Sequence, residues 1–171
     1  MIPNNPTKIL SGEHKNIMKV IDALAKECSA IESGKKIDTA FFEKAIGFIR
    51  NYADKFHHAK EENILFKELS LLHCNPVQQM LYEHDLGRGF VKGMEQALHG
   101  NKAKLIENTM GYCQLLREHI FKEDNILYPM ADESLAQKTK KSILERFARA
   151  DAKAKNARKY IEIAEEFDSR K

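Results

Sequence analysis

His57-His58-Ala59-Lys60-Glu61-Glu62-Asn63-Ile64-Leu65-Phe66 returns 62 residues later as His119-Ile120-Phe121-Lys122-Glu123-Asp124-Asn125-Ile126-Leu127-Tyr128. Six of the ten positions are identical, and Glu62/Asp124 and Phe66/Tyr128 are exchanges of like for like. A shorter fragment, Glu13-His14, stands upstream of the first copy, and Glu83-His84 stands upstream of the second. The repeating unit is therefore a pair of helices, covering roughly residues 7 to 70 and 76 to 133. Residues four apart on an α-helix share a face, about 6 Å apart along the axis. That spacing pairs His57 with Glu61 and His119 with Glu123 as neighbouring imidazole and carboxylate, and two such pairs facing each other make a cage for metal.

Working outward, the apolar residues follow the three-four rhythm of helices. Leu10, Ile17, Ile21, Leu24, Cys28 and Ile31 form one stripe with His14 inside it, and Ser33-Gly34 marks its stop. Phe42, Ile46, Ile49, Ala53, His57, Glu61 and Ile64 form a second. Leu72-His73-Cys74-Asn75-Pro76 breaks the pattern before a third, Val77, Met80, His84, Gly87, Val91, Met94 and Leu98. After His99-Gly100-Asn101 the fourth reads Leu105, Thr109, Tyr112, Leu116, His119, Glu123, Ile126 and Met130. Pro129 predicts an end or bend there, and Asp132-Glu133-Ser134 offers caps for a fifth helix running to about Phe167. That helix carries no inward His or Glu and reads as a buttress. Short connections favour an all-α, antiparallel up-down-up-down four-helix bundle. The expectation is one domain over residues 1–171, with the bundle in 7–133 and the buttress in 134–168.

The composition fits such a unit. At 171 residues and 43% hydrophobic content the chain can bury one proper core. Its 28 basic and 25 acidic residues are interspersed, so no single-sign field points to nucleic acid or a membrane surface. Lys138, Lys140 and Lys141 read as a solvated helix face. No stretch approaches a membrane span, and Met1 to Leu10 does not have the pattern of a signal peptide. Cys28, Cys74 and Cys113, odd in number and far apart, fit a reducing compartment rather than a disulfide framework. The expected location is the cytoplasm. Met80, Met94 and Met130 read as core filler, and His73 and His99 as exposed loop residues. Apolar residues on the fifth helix would support a homodimer.

Burying His14, His57, His84, His119, Glu61 and Glu123 together is costly unless something compensates, because an unpaired buried polar group costs a few kcal/mol, roughly, and a lone carboxylate more. Imidazole and carboxylate suit iron, manganese or zinc, and no cysteine shares their layer. A repeat points to two ions, with Glu61 and Glu123 placed to bridge them. Two divalent cations against two carboxylates leave room for a bound oxide or hydroxide. His58 is a further candidate ligand, and Glu62 and Asp124 are alternatives to the glutamates that precede them. Tyr112, two turns before His119, is a candidate for a ligand pocket.

The order His-x-x-x-Glu differs from the Glu-x-x-His of ferritin-like bundles; the residues three before the histidines are Ser11, Asp54, Lys55, Leu81 and Leu116. That order, the two Glu-His openings and the Lys-Glu-Glu/Asp-Asn-Ile-Leu-Phe/Tyr segments together resemble the hemerythrin-like family, or HHE cation-binding domain, over about residues 8 to 133. The resemblance implies a non-haem di-iron centre held by His14, His57, Glu61, His84, His119 and Glu123, with the glutamates bridging. Oxygen-carrying members add a second histidine on the third helix in a His-x-x-x-His pattern, but here Met80 and Arg88 flank His84 at that spacing. His58, whose counterpart is Ile120, then becomes the fifth histidine. One iron would gain a nitrogen, and the other would keep the open position at which a small ligand binds. Family members carry oxygen, sense oxygen or iron, repair iron-sulfur clusters, or reduce peroxide or nitric oxide. The chain is thus expected to meet dioxygen, peroxide or nitric oxide, in stress defence or cluster repair, as an enzyme or as a sensor or iron-binding module. The missing His-x-x-x-His pattern argues against reversible oxygen carriage. The electron donor is not legible.

Overall fold

The computed structural model describes residues 5–72, 76–154 and 157–169. His73 and Cys74 lie outside them. The described residues are helical with no strand, and we number six helices: α1, Pro6–Glu32; α2, residues 39–70; α3, Pro76–Ala97; α4, residues 102–134; α5, Gln137–Lys153; and α6, Ala157–Ser169. The first four form the antiparallel bundle.

Local chemistry sets the helix ends. Proline at the first turn starts α1, where a missing N–H is harmless. Its end is closed by Gly34 at φ 106°, a backbone state open to glycine without strain. Asp38 caps α2 by accepting the Phe41 N–H at 3.0 Å, and Asn101 caps α4 by accepting that of Lys104 at 3.0 Å.

α2 and α4 are not α-helical throughout. Wider turns, with i to i+5 hydrogen bonding, run over Ile49–His58 and Glu61–Leu65 in α2 and over Glu123–Leu127 in α4. Each glutamate of the repeat begins such a turn. The extra residue delays the helix rotation, so the stripes slip by one position. Leu65 and Phe66, and correspondingly Leu127 and Tyr128, are buried. Ile126 and Met130, expected inside, are 48% and 39% exposed; this corrects the reading of Met130 as core filler, while Met80 and Met94 are indeed buried. Pro129 stands one residue past the wide turn and does not end the helix, which runs on to Ser134. Asp132, Glu133 and Ser134 therefore belong to α4, and Ala136 stands at the cap position of α5 without a side-chain hydrogen bond.

The C-terminal segment is two helices rather than one, since α5 ends at Lys153. α6 lies along α1, with Phe167 edge-on to Phe41 at 4.9 Å and Tyr160 against Phe48 at 6.3 Å. α5 packs on the end of α2 through Ile143 and Phe147, both fully buried. The main apolar residues of α5 are thus spent inward, while exposed large apolar side chains include Ile161 on α6, Tyr82 on α3 and Phe121 on α4. Lys140 is also buried, with its ammonium donating to the Asp132 carbonyl, so it is not part of a solvated face. Lys138, Lys141 and His99 are exposed, and Cys28 and Cys113 are free thiols in the core.

Candidate metal centre

Inside the bundle the structure brings all seven predicted residues together. Two groups form, His58, Glu61, His84 and His119, and His14, His57, Glu61 and Glu123, with the donor atoms of each within 4.8 Å of one another and every residue buried. Glu61 belongs to both. Its Oε2 lies 3.6 Å from His57 Nε2 and 3.5 Å from His84 Nε2. Glu123 also spans the groups, with Oε2 3.2 Å from His14 Nε2 and Oε1 3.3 Å from His119 Nε2. His58 joins because it lies in the wide turn Ile49–His58, where two successive side chains, His57 and His58, both reach the interior at 1% and 6% exposure.

Each ring shows one nitrogen to the interior and the other to an acid. His57 Nδ1 faces Glu13 at 2.9 Å, His84 Nδ1 faces Glu62 at 2.7 Å, His119 Nδ1 faces Glu83 at 2.8 Å and His14 Nδ1 faces Asp124 at 3.0 Å. The four contacts run α1 to α2, α2 to α3, α3 to α4 and α4 back to α1, a closed ring generated by the sequence repeat. Lys60 reaches Glu13 and Lys122 reaches Glu83, again as repeat counterparts. His58 is backed more loosely, by Asp54 at 3.7 Å. Glu62 and Asp124 thus stand behind histidines and not in the interior groups. Sequence reasoning missed Glu13 and Glu83 as partners of these rings; their recurrence in both Glu-His openings was the signal.

Aromatic rings complete the shell. Phe66 stacks on His84 at 5.9 Å and Tyr128 on His14 at 5.6 Å. Tyr128 adds a hydroxyl that donates to Glu61 Oε1 at 2.5 Å, which Phe66 cannot do for Glu123. Its role was also missed, though the Phe/Tyr exchange between the copies marked it. The two sides therefore differ twice, His58 against Ile120 and Phe66 against Tyr128.

The interior atoms ask for positive charge. His57 Nε2, Glu61 Oε2 and both Glu123 oxygens are buried without a hydrogen-bond partner among the described residues, at a cost of about 1–3 kcal/mol each if left so. His84 Nε2 and His119 Nε2 meet at 3.0 Å, a distance that needs a shared proton or cation. Burial opposes charge on His14 and His119, but the hydrogen bond from His14 to Asp124 and the charge of Glu123 beside His119 win, raising them to about 9 and about 10. Glu123 is itself burdened by burial, yet the imidazoles hold its carboxyl well below the usual range. His58 goes the other way, since burial and then the neighbouring His84 charge push it well down and keep it neutral. Protons here stand where cations fit. Nitrogen and oxygen donors without thiolate are the set for iron, manganese or zinc.

A cavity of about 180 Å³ abuts His58 and His84 and is lined also by Tyr112, Gly87 and Val91. It lies on the nitrogen-rich side, whereas the sequence reading placed the open position at the other ion. Among the described residues no helix is long and apolar enough to cross a membrane.

The hemerythrin HHE cation binding domain model matches residues 5–131. No curated protein and no solved structure matches the chain.

Proposed function

This chain belongs to the hemerythrin HHE cation-binding domain family, and from that premise we propose that it holds two iron ions and engages small oxidants, namely dioxygen, peroxide or nitric oxide. The observation that carries the reading is the set of five inward imidazoles, four hydrogen-bonded from behind to carboxylates, around Glu61 and Glu123, where Glu61 Oε2 and both Glu123 oxygens lack a hydrogen-bond partner among the described residues. His58, His84 and His119 would hold one ion and His14 and His57 the other, with Glu61 and Glu123 within reach of both groups. Iron supplies one-electron redox chemistry and a point of attachment for small ligands. The chain's own residues do the rest. Glu13, Glu62, Glu83 and Asp124 fix the histidine tautomers so that Nε2 stays free for the metal. Tyr128 holds a proton at Glu61 Oε1, distinguishing the two shared carboxylates. Burial of every donor excludes water, strengthening each electrostatic contact.

Purification without added metal, followed by iron analysis and a visible spectrum before and after exposure to oxygen, peroxide and nitric oxide, tests this. Two irons per chain and a spectral response to at least one oxidant are expected. Fewer than one iron, with no uptake on reconstitution, rules the proposal out. Turnover with peroxide or nitric oxide marks an enzyme of stress defence, and a stable response without turnover a sensor. One contact favours the sensor as the second reading: Lys60 joins Glu13, and through it His57, to Asp151 of α5 at 3.1 Å. Hydrogen exchange in α5 that changes between oxidised and reduced protein is the outcome this reading requires.

A further inference from the structure

Gly87 sits in the middle of α3. Glycine there costs roughly 1 kcal/mol relative to alanine, and packing does not demand it. An added Cβ would lie 3.6 Å from the Tyr112 ring and 3.7 and 3.8 Å from Leu116 and Leu115, ordinary contact distances. What the missing side chain leaves is space, as part of the cavity of about 180 Å³ between α2, α3 and α4. Tyr112 walls the same cavity at 2% exposure, and its hydroxyl has no hydrogen-bond partner among the described residues. Two unfavourable choices thus meet at one void, beside His58 and His84. Ile49 and Val91 supply apolar wall. The cations at its rim are already committed: Arg88 pairs with Asp54, Glu62 and Asp85, and Arg50 with Glu95. A charged ligand finds little to draw it there.

We propose that this cavity is the pocket for a small uncharged ligand bearing an oxygen acceptor, and that the Tyr112 hydroxyl donates a hydrogen bond to it. The inference rests on the iron-holding reading and names where its ligand lodges, on the three-histidine side of the centre.

Two probes test it, xenon and nitric oxide. With protein as purified, the ¹²⁹Xe chemical shift is expected to report a specific site that Gly87→Val fills, with Gly87→Ala giving a smaller loss. Tyr112→Phe should leave melting temperature and iron content unchanged or improved, because it removes an unsatisfied hydroxyl. In the reduced, iron-loaded protein it should speed nitric oxide release by about tenfold, the loss of one hydrogen bond, and Gly87→Val should slow nitric oxide entry. Unchanged nitric oxide kinetics in both variants, with iron intact, would overturn the pocket while leaving the centre standing. Protein that binds xenon but takes up no iron overturns the iron reading and the assignment that depends on it.

Discussion

At the scale of single residues, the acids behind the histidines matter as much as the donors. Glu13 is partly buried and Glu83 buried, and in each the desolvation cost is outweighed by the imidazole and ammonium it accepts from, which lowers both, Glu83 to about 2. Replacing either by glutamine removes the charge that orients His57 or His119 without changing shape. We expect about a 10- to 100-fold loss of metal affinity from each, measured by competition with a chelator. Equal retention in wild type and variants would mean the rings hold their orientation unaided. The clustering of the five histidines was legible because four spaced motifs agree. Their carboxylate partners were not, because each lies on a neighbouring helix and a contact such as that of Asp124 with His14 joins positions 110 apart. Tyr128 was legible only as an exchange, since its hydroxyl acquires meaning from Glu61.

At the scale of the helix, the stripes of α1 and α3 were read correctly along their lengths because both keep a constant period. The α2 stripe also proved buried from Phe42 to Ile64, but α4 was read correctly only up to its wide turn, where a one-residue slip carried Ile126 and Met130 outside. No residue type announces such a turn. The C-terminal helices break the equivalence of the two halves, since α5 covers Lys60 while leaving Lys122 open. Lys60 is 1% exposed, bonded to Glu13 and Asp151 and lying 3.8 Å over the Phe56 ring, whereas Lys122 is 33% exposed. Identical positions in the repeat should therefore respond unequally to substitution. Lys60→Met is expected to destabilise by about 3 kcal/mol, since it breaks an ion pair at a site where water cannot replace the ammonium, and Lys122→Met by about 1 kcal/mol or less, since solvent reaches its ammonium. Urea denaturation of the two metal-free variants checks this, and equal losses would show that α5 does not seal the lysine.

At the scale of the molecule, we propose that bundle and C-terminal helices fold as one unit, which predicts a single cooperative thermal transition. Its pH dependence follows from the site. In the metal-free chain His14 and His119 are raised from 6.5 to about 9 and about 10, so their stabilisation is complete below 6.5 and is lost as pH rises through those values. Glu83 is lowered from 4.5 to about 2, so its contribution is present above 4.5 and is lost as pH falls toward 2. Metal-free melting temperature should therefore peak between those limits and fall from about pH 7 to about pH 10. On the proposed reading iron would displace the same protons, so its affinity should climb over that interval and the loaded form should not show the decline. A metal-free melting temperature that rises across it would contradict the paired charges inferred for the interior.

The ring of acid-to-imidazole contacts would close equally well if two separate hairpins met about a two-fold axis. Joining the halves in one polypeptide removes the obligation to be equal. In a dimer of identical hairpins a histidine at the position of His58 would have to appear on both sides, as would a phenol at the position of Tyr128. Covalent linkage lets each be placed once, and so lets the two His/Glu groups differ in partners, charge and access within a frame that duplication had made alike.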